Sequence, residues 1–223
     1  MSTKLPAKQL GDLTFGVTTI SVANNRSQPF HGAELMTQTL LGTPIQVLKK
    51  QGGFYLVKSP DGYLAWTDGG SVALMDEKKF KEWQAAKKVV YVNDYGHAFS
   101  KADAASARVS DLVNGNILRF LATEGTFAKV AFPDGREAYV PSNTVSDYQV
   151  WVNRPIPNAD AILKAAQTLI GVPYLWGGTS IKGVDCSGFT KTAYFLNGVI
   201  IPRDASQQAL VGEKIEVTEN DSV

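Results

Sequence analysis

The sequence predicts a multidomain chain in which two small all-β barrels precede the opening part of a mixed α/β domain. Three observations predict this. The first 150 residues contain an ungapped internal repeat at an offset of 73. After Val150 the texture turns helix-forming. The only cysteine, Cys186, then falls at the start of a helical run, behind a glycine-rich turn.

The repeat pairs Gly42 with Gly115, Leu48 with Leu121, Phe54 and Val57 with Phe127 and Val130, and Ala65 with Ala138. Pro60-Asp61-Gly62 pairs with Pro133-Asp134-Gly135, and Val72 with Val145. Within a copy, short β-rich runs such as Pro44–Leu48, Phe54–Val57 and Tyr63–Trp66 are separated by Gly and Pro-Asp-Gly turns, the punctuation of antiparallel strands. Two copies are too few, and each is too long, for a solenoid, so tandem barrels fit better. The expected units are 12–75 and 89–147. Between them 76–88 is a helical linker, with Phe80, Trp83 and Lys87 spaced to cover a barrel.

Pro155 and Pro157 mark a second linker, 148–157, and residues 158–223 form the third unit. There Asn158 caps a helix whose face carries Ile162, Ala166, Leu169 and Ile170, and Gly171 and Pro173 end it. The turn G-V-P-Y-L-W-G-G runs from Gly171 to Gly178. Asp185 is an N-cap residue, and Phe189, Ala193 and Phe195 recur at helical spacing until Asn197-Gly198. Cys186 thus sits in a first helical turn, where free N–H groups and the helix dipole favour a thiolate. A lone cysteine is also a common small core residue, but the aromatic and glycine-rich turn upstream favours a nucleophile. The third unit is expected to be incomplete, because only 37 residues follow Cys186.

Composition excludes several classes. A net charge of +1 offers no field for nucleic acid or an anionic membrane. No apolar run approaches the ~20 residues of a membrane span, and the N-terminus has no apolar signal core. One cysteine rules out an internal disulfide. With no Cys/His cluster, Walker loop or basic stripe, no metal, cofactor or nucleic-acid partner is expected. A monomer is the expected state.

The two repeats resemble bacterial Src-homology-3-like domains, through S-V-A-N-N-R at Ser21–Arg26, G-T-P-I-Q-V-L, G-G-F-Y-L-V and P-D-G-Y-L-A-W. P-Y-L-W-G-G, V-D-C-S-G-F and P-R-D-A-S-Q-Q together resemble the NlpC-type cell-wall cysteine peptidases. Tyr174 lies 12 residues before Cys186 and Asp204 lies 18 after it. The resemblance implies two Src-homology-3-like barrels followed by the N-terminal part of an α+β papain-like peptidase domain. It further implies that the Cys186 thiolate attacks a peptidoglycan amide to form an acyl-enzyme, with a histidine as base and a polar residue to orient it. Tyr174 would donate to the developing oxyanion. Trp176 would wall the pocket, Asp185 cap the helix and face substrate, and Ser187 supply a backbone donor and a hydroxyl. The pairing with two barrels is similar to a subgroup that cuts L-Ala-γ-D-Glu-diamino-acid peptides bearing a free N-terminal L-alanine. In that subgroup the first barrel closes one end of the cleft, and the matching amine-binding trio here is Glu34, Tyr63 and Asp204. Ala205 stands where a small hydroxyl residue is expected, so one substrate hydrogen bond would be absent. Periplasm or cell envelope follows from the resemblance, while the missing export signal leaves cytoplasm open.

The chain departs from this pattern in its histidines. His31 and His97 both fall in the barrel repeats, and the family's histidines would lie past Val223, with the remaining strands of the catalytic sheet. The expectation is a fragment of a longer enzyme, inactive alone. Two other readings stay open: a module that binds cell-wall peptide without cutting it, and a papain-like transferase or amidase. Glu34, Tyr63 and Asp204 meeting in one cleft would favour the peptidase.

Overall fold

The computed structural model describes residues 4–214. The end of the expected third unit, residues 215–223, lies outside the described residues. The first sheet contains β1 (Phe15–Thr18), β2 (Val22–Arg26), β3 (Leu35–Leu40), β4 (Pro44–Gln51), β5 (Phe54–Lys58), β6 (Leu64–Asp68) and β7 (Val72–Met75). Its order is β3-β2-β6-β5-β4-β1-β7. The second contains β8 (Lys88–Tyr91), β9 (Tyr95–Phe99), β10 (Arg108–Val113), β11 (Ile117–Glu124), β12 (Phe127–Ala131), β13 (Glu137–Pro141) and β14 (Val145–Asp147). Its order, β10-β9-β13-β12-β11-β8-β14, repeats the first strand for strand.

Shifting β1 to β6 by 73 residues reproduces the bounds of β8 to β13, and only the last strand ends one residue early. The irregularities repeat too. The β4–β5 register skips Leu48, and the β11–β12 register skips its counterpart Leu121. Likewise Met36 and Val109 are the skipped residues of β3 and β10. Turn chemistry explains this fidelity, because Gly42 and Gly115, and Gly62 and Gly135, all adopt positive φ. Gly42 is further constrained by space: a Cβ there would lie 2.2 Å from the Ile117 carbonyl oxygen, where the first copy abuts the second.

The sheets differ from the expected barrels in one respect. Among the described residues no ladder joins β3 to β7 or β10 to β14, so hydrogen bonding defines two open sheets. In the first, β3 is engaged elsewhere. Its Gln38 side chain and carbonyl accept hydrogen bonds from the N–H (2.9 Å) and hydroxyl (3.3 Å) of Thr179, in the third unit.

The copies share a core rather than packing as beads. Leu41 of the first is fully buried in the cluster of Val89, Leu112, Leu118, Val130 and Val140 of the second. Its carbonyl accepts the Ile117 N–H at 2.9 Å. The helix α1 (Glu77–Ala85), capped by Asp76, lays Trp83 and Phe80 on Val17 and Met75, with Phe80 stacked on Phe15 at 4.7 Å. It is Lys88, next to the expected Lys87, that closes the helix. Its buried ammonium donates to the carbonyls of Trp83, Gln84 and Ala86, while Lys87 lies over the Phe120 ring.

The stretch read as a linker contains a helix, α2 (Tyr148–Val152), capped by Asp147, whose Trp151 is buried edge-on against Phe195 at 5.3 Å. In the third unit α3 (Ala159–Gln167) is capped by Asn158 as its sequence suggests. It stops two residues before Leu169, so Leu169 is buried while Ile170 turns away and is 79 % exposed. The hairpin of β15 (Thr179–Ser180) and β16 (Gly183–Val184) leads into α4 (Cys186–Phe195), and α5 (Ala205–Gln208) follows. No described helix is long and apolar enough to cross a membrane.

The two glycine turns give a test. Gly42→Ala should destabilise the protein by about 3 kcal/mol or more, because a positive φ and a backbone clash act together. At Gly52, where φ is +56° and a Cβ meets nothing, Gly52→Ala should cost only about 1 kcal/mol. Denaturant midpoints of the two variants decide this, and equal losses would contradict the contact at Gly42.

Candidate active site

Cys186 is the first residue of α4 and its free thiol is exposed. The helix begins there because Asp185 holds an extended backbone and its Oδ1 accepts the Gly188 N–H at 2.7 Å, an N-cap. The same carboxylate does more than cap. Oδ2 accepts the Gly177 N–H at 2.9 Å and the Arg203 guanidinium at 2.6 Å, and the Ser187 hydroxyl lies 3.4 Å from Oδ1. Arg203, only 2 % exposed, also donates to Ser187 Oγ at 2.8 Å. Gly177 adopts φ +80°, and a Cβ there would sit 2.4 Å from the Leu35 carbonyl oxygen. This close approach brings the aromatic turn against β3.

The opposite wall comes from the first sheet. Glu34 directly precedes β3, and Tyr63 directly precedes β6 in the Pro-Asp-Gly hairpin. They meet the third unit through two contacts between residues more than 140 positions apart. Trp176 Nε1 donates to Glu34 Oε1 at 2.8 Å, and the Tyr63 hydroxyl lies 3.3 Å from Asp204 Oδ1. Asp204 is the N-cap of α5, where Gln207 completes a capping box. Glu34, Met36, Tyr63, Trp176, Asp185, Cys186, Ser187, Arg203, Asp204, Ala205 and Ser206 line one cleft of about 350 Å³. Ala205 therefore faces the cleft without a hydroxyl, next to the hydroxyl of Ser206.

Seven of the eight sequence-predicted residues thus share a cleft. Tyr174 is not among its lining residues. Its backbone is bridged to Val184, close before Cys186, and it is 67 % exposed. Neither histidine lines the cleft: His31 lies 3.5 Å from Asp68 on the surface, and His97 is on β9. Sequence reasoning missed Arg203 as the partner of Asp185. The available signal was an arginine beside an acid in P-R-D-A-S-Q-Q, but nothing local shows that it folds inward.

The electrostatics follow from these contacts. Burial pushes the Asp185 carboxyl up, yet the Arg203 hydrogen bond, the two backbone N–H groups and the guanidinium charge outweigh it and hold it below the ordinary carboxylate range. Burial, and after it the Asp204 charge, push the Tyr63 phenol above its ordinary value, so it stays a neutral donor. The arrangement sets an exposed thiol at a helix start beside a pole of two carboxylates and a phenol. Such a pole suits a ligand that carries an ammonium group.

Comparison with known proteins agrees with this architecture. Residues 171–222 match the NlpC/P60 family, and residues 25–68 match the bacterial dipeptidyl-peptidase Sh3 domain. The chain is similar to both over these segments, and to gamma-D-glutamyl-L-lysine dipeptidyl-peptidases over most of its length. The one from Bacillus cereus is 28 % identical over 197 residues, covering 82 % of this chain and 56 % of that protein. The one from Bacillus subtilis is 29 % identical over 194 residues, covering 81 % and 60 %. The chain therefore spans little more than half the length of these relatives. In fold it is similar to a solved NlpC/P60 family protein from Bacillus cereus, with a TM-score of 0.78 at 22 % identity, covering 91 % of this chain and 78 % of that one.

Asp185→Asn should cost about 3 kcal/mol near neutral pH, because it leaves the Arg203 charge buried without its counter-ion. The folded carboxyl titrates below its unfolded value, so the ionised group's contribution is complete above about pH 4 and is lost as pH falls through the folded pKa. Melting curves should accordingly show the gap between wild type and variant narrowing in acid. A gap that stays constant down to about pH 2 would dissociate that stability from the carboxylate's charge.

Proposed function

We propose that the chain is part of a cysteine peptidase that cleaves the γ-D-Glu–diamino-acid bond of peptidoglycan-derived peptides with a free N-terminal L-alanine. The observation that carries this reading is the cleft itself. It places the thiol at the start of α4 together with an acidic, phenolic pole assembled from the first sheet and the loop before α5. The relatives from Bacillus cereus and Bacillus subtilis are gamma-D-glutamyl-L-lysine dipeptidyl-peptidases, which supports the same substrate class.

On this reading the substrate's ammonium sits among Glu34, Tyr63 and Asp204, where paired anions and a phenol compensate its lost hydration. Trp176 walls the peptide, and Asp185 and Ser187 fix the rim next to the thiol. Cys186 Sγ attacks the γ-carbonyl carbon, the C–N bond breaks, and the diamino acid leaves with a proton on its nitrogen. Water then hydrolyses the thioester and restores the thiol. Tyr174 is the proposed phenolic donor to the oxyanion, acting from the rim rather than from within the cleft. The second sheet is proposed to be a diverged copy of the first Src-homology-3-like unit, so that the domains run 12–75, 89–147 and 158–223.

A second reading, a module that holds cell-wall peptide without cutting it, is favoured by one observation: among the described residues no imidazole lines the cleft. The leaving amine needs a general acid, and loss of one member of a coupled catalytic set removes most of the rate.

Two outcomes test the proposal. In an active form of the enzyme, L-Ala-γ-D-Glu-diamino-acid peptides should be cut and their N-acetylated versions ignored, and Cys186→Ser should abolish turnover while preserving the melting temperature. Acetylated peptide cut as fast as free peptide would remove the amine-binding role. The 223-residue form alone should bind the peptide and release no diamino acid in an amine-release assay. Turnover comparable to that of the Bacillus cereus relative would mean that His31 or His97 reaches the thiol.

A further inference from the structure

The helix that begins with Cys186 carries one charged residue, Lys191, turned toward the first sheet. Lys191 Nζ donates to Asp61 Oδ2 at 2.7 Å and to the Ile201 carbonyl at 3.0 Å. Asp61 lies in the hairpin that presents Tyr63, and its Oδ1 accepts the Tyr63 N–H at 3.3 Å and the Ser59 hydroxyl. Ile201 opens the segment that continues through Pro202 and Arg203 to Asp204. One ammonium thus grips both segments that meet as the Tyr63–Asp204 pair.

Magnitudes identify which contact holds the pair together. The Tyr63–Asp204 separation of 3.3 Å is longer than an ordinary O–H···O bond, so it cannot fix the two segments by itself. The Lys191–Asp61 contact is shorter, charge-assisted, and shielded, with side chains only 15 % and 5 % exposed. Burial pushes the Asp61 carboxyl up, and Lys191, Ser59 and Tyr63 bring it below its ordinary value. An exposed lysine pair would contribute almost nothing; this one is sequestered between a sheet and a helix.

The internal repeat supplies a control. Asp134 occupies the position of Asp61 in the second copy, and its Oδ1 accepts the Arg136 N–H at 3.2 Å, as Asp61 accepts that of Tyr63. Its other oxygen, however, pairs with Arg136 Nε at 2.8 Å, within its own hairpin. Turn chemistry therefore accounts for the local bond in both copies, and the reach to α4 belongs to the first copy.

We propose that Lys191 is a positioning residue, which sets the amine-binding pole of the cleft at a fixed place relative to Cys186 by holding the Asp61 hairpin and the Ile201–Asp204 segment on one helix. This rests on the amine-binding reading of Tyr63 and Asp204. The test is calorimetric binding of L-Ala-γ-D-Glu-L-Lys and its N-acetyl form to the intact protein in a Cys186→Ser background. The alkylation rate of Cys186 by iodoacetamide is measured separately in proteins that keep the cysteine. Lys191→Met and Asp61→Asn should each cut the preference for the free-amine peptide about tenfold or more. Affinity for the acetylated peptide and the alkylation rate should stay within about twofold of wild type, since neither depends on the pole. Lys191→Arg should restore most of the preference, and Asp134→Asn should leave it intact. If Lys191→Met does not melt cooperatively, Asp61→Asn decides. Variants that keep the wild-type preference, or lose affinity for both peptides equally, would overturn the role of Lys191. A wild type with no preference for the free amine would instead overturn the amine-binding reading on which it stands.

Discussion

The carboxylate of Asp185 accepts from the backbone of the helix it caps, from the backbone of the glycine turn at Gly177, and from the buried guanidinium of Arg203. These donors lie on three separate segments, and each contributes to the cleft: Cys186 on the helix, Trp176 on the turn, Asp204 beside the arginine. An ion pair buried this deeply gives little net stability over an apolar alternative, because desolvation offsets most of its attraction. Its value lies in geometry. A planar guanidinium that bridges Asp185 and Ser187 admits few arrangements of the chain, so the position of Cys186 is tied to that of the loop before α5.

The repeat shows how one backbone serves two purposes. Strand bounds, bulges and turn glycines coincide in both copies, so the differences lie in side chains at equivalent sites. Where the first copy has Tyr63, which reaches the cleft, the second has Arg136, whose guanidinium donates to the Thr19 carbonyl at 2.8 Å and docks the second copy on the first. Asn116 adds a buried bond to the Ser21 carbonyl at 2.9 Å. At the same junction Ser21 and Lys182 both donate to Asp111, with Lys182 at 2.6 Å, so the hairpin of the third unit is tied to both sheets. The second copy takes no part in lining the cleft. It buttresses the first copy, which does.

Much of this was legible in the sequence where the signal is local. The offset-73 repeat, the Asn158 and Asp185 caps and the positive-φ glycines are short-range chemistry, and they recur in the structure. Sheet closure was not legible, because an edge strand's partner is chosen by tertiary contacts: β3 meets Thr179, and neither β3 with β7 nor β10 with β14 forms a ladder among the described residues. Trp151 looked like linker because its partner Phe195 lies in another unit. Ile170 followed the helical period on paper, but the helix had already ended at Gln167. In the cleft, Glu34, Tyr63 and Asp204 were found only through a resemblance, since taken singly each is an ordinary turn or surface residue. Lys191 and Arg203 gave no local sign that they point inward.

The cleft draws its charged groups from two units. A carboxylate close to the thiol would disfavour its ionisation, whereas carboxylates are required to hold an ammonium. Glu34 and Tyr63 come from the first sheet and Asp204 from the third unit that carries Cys186, so both sides contribute to the acidic pole. Asp185 is the acid nearest the thiol in sequence, and Arg203 neutralises it at 2.6 Å. The sheet and the third unit are joined by the buried contacts that cross from the Asp61 hairpin to α4 and from β3 to β15.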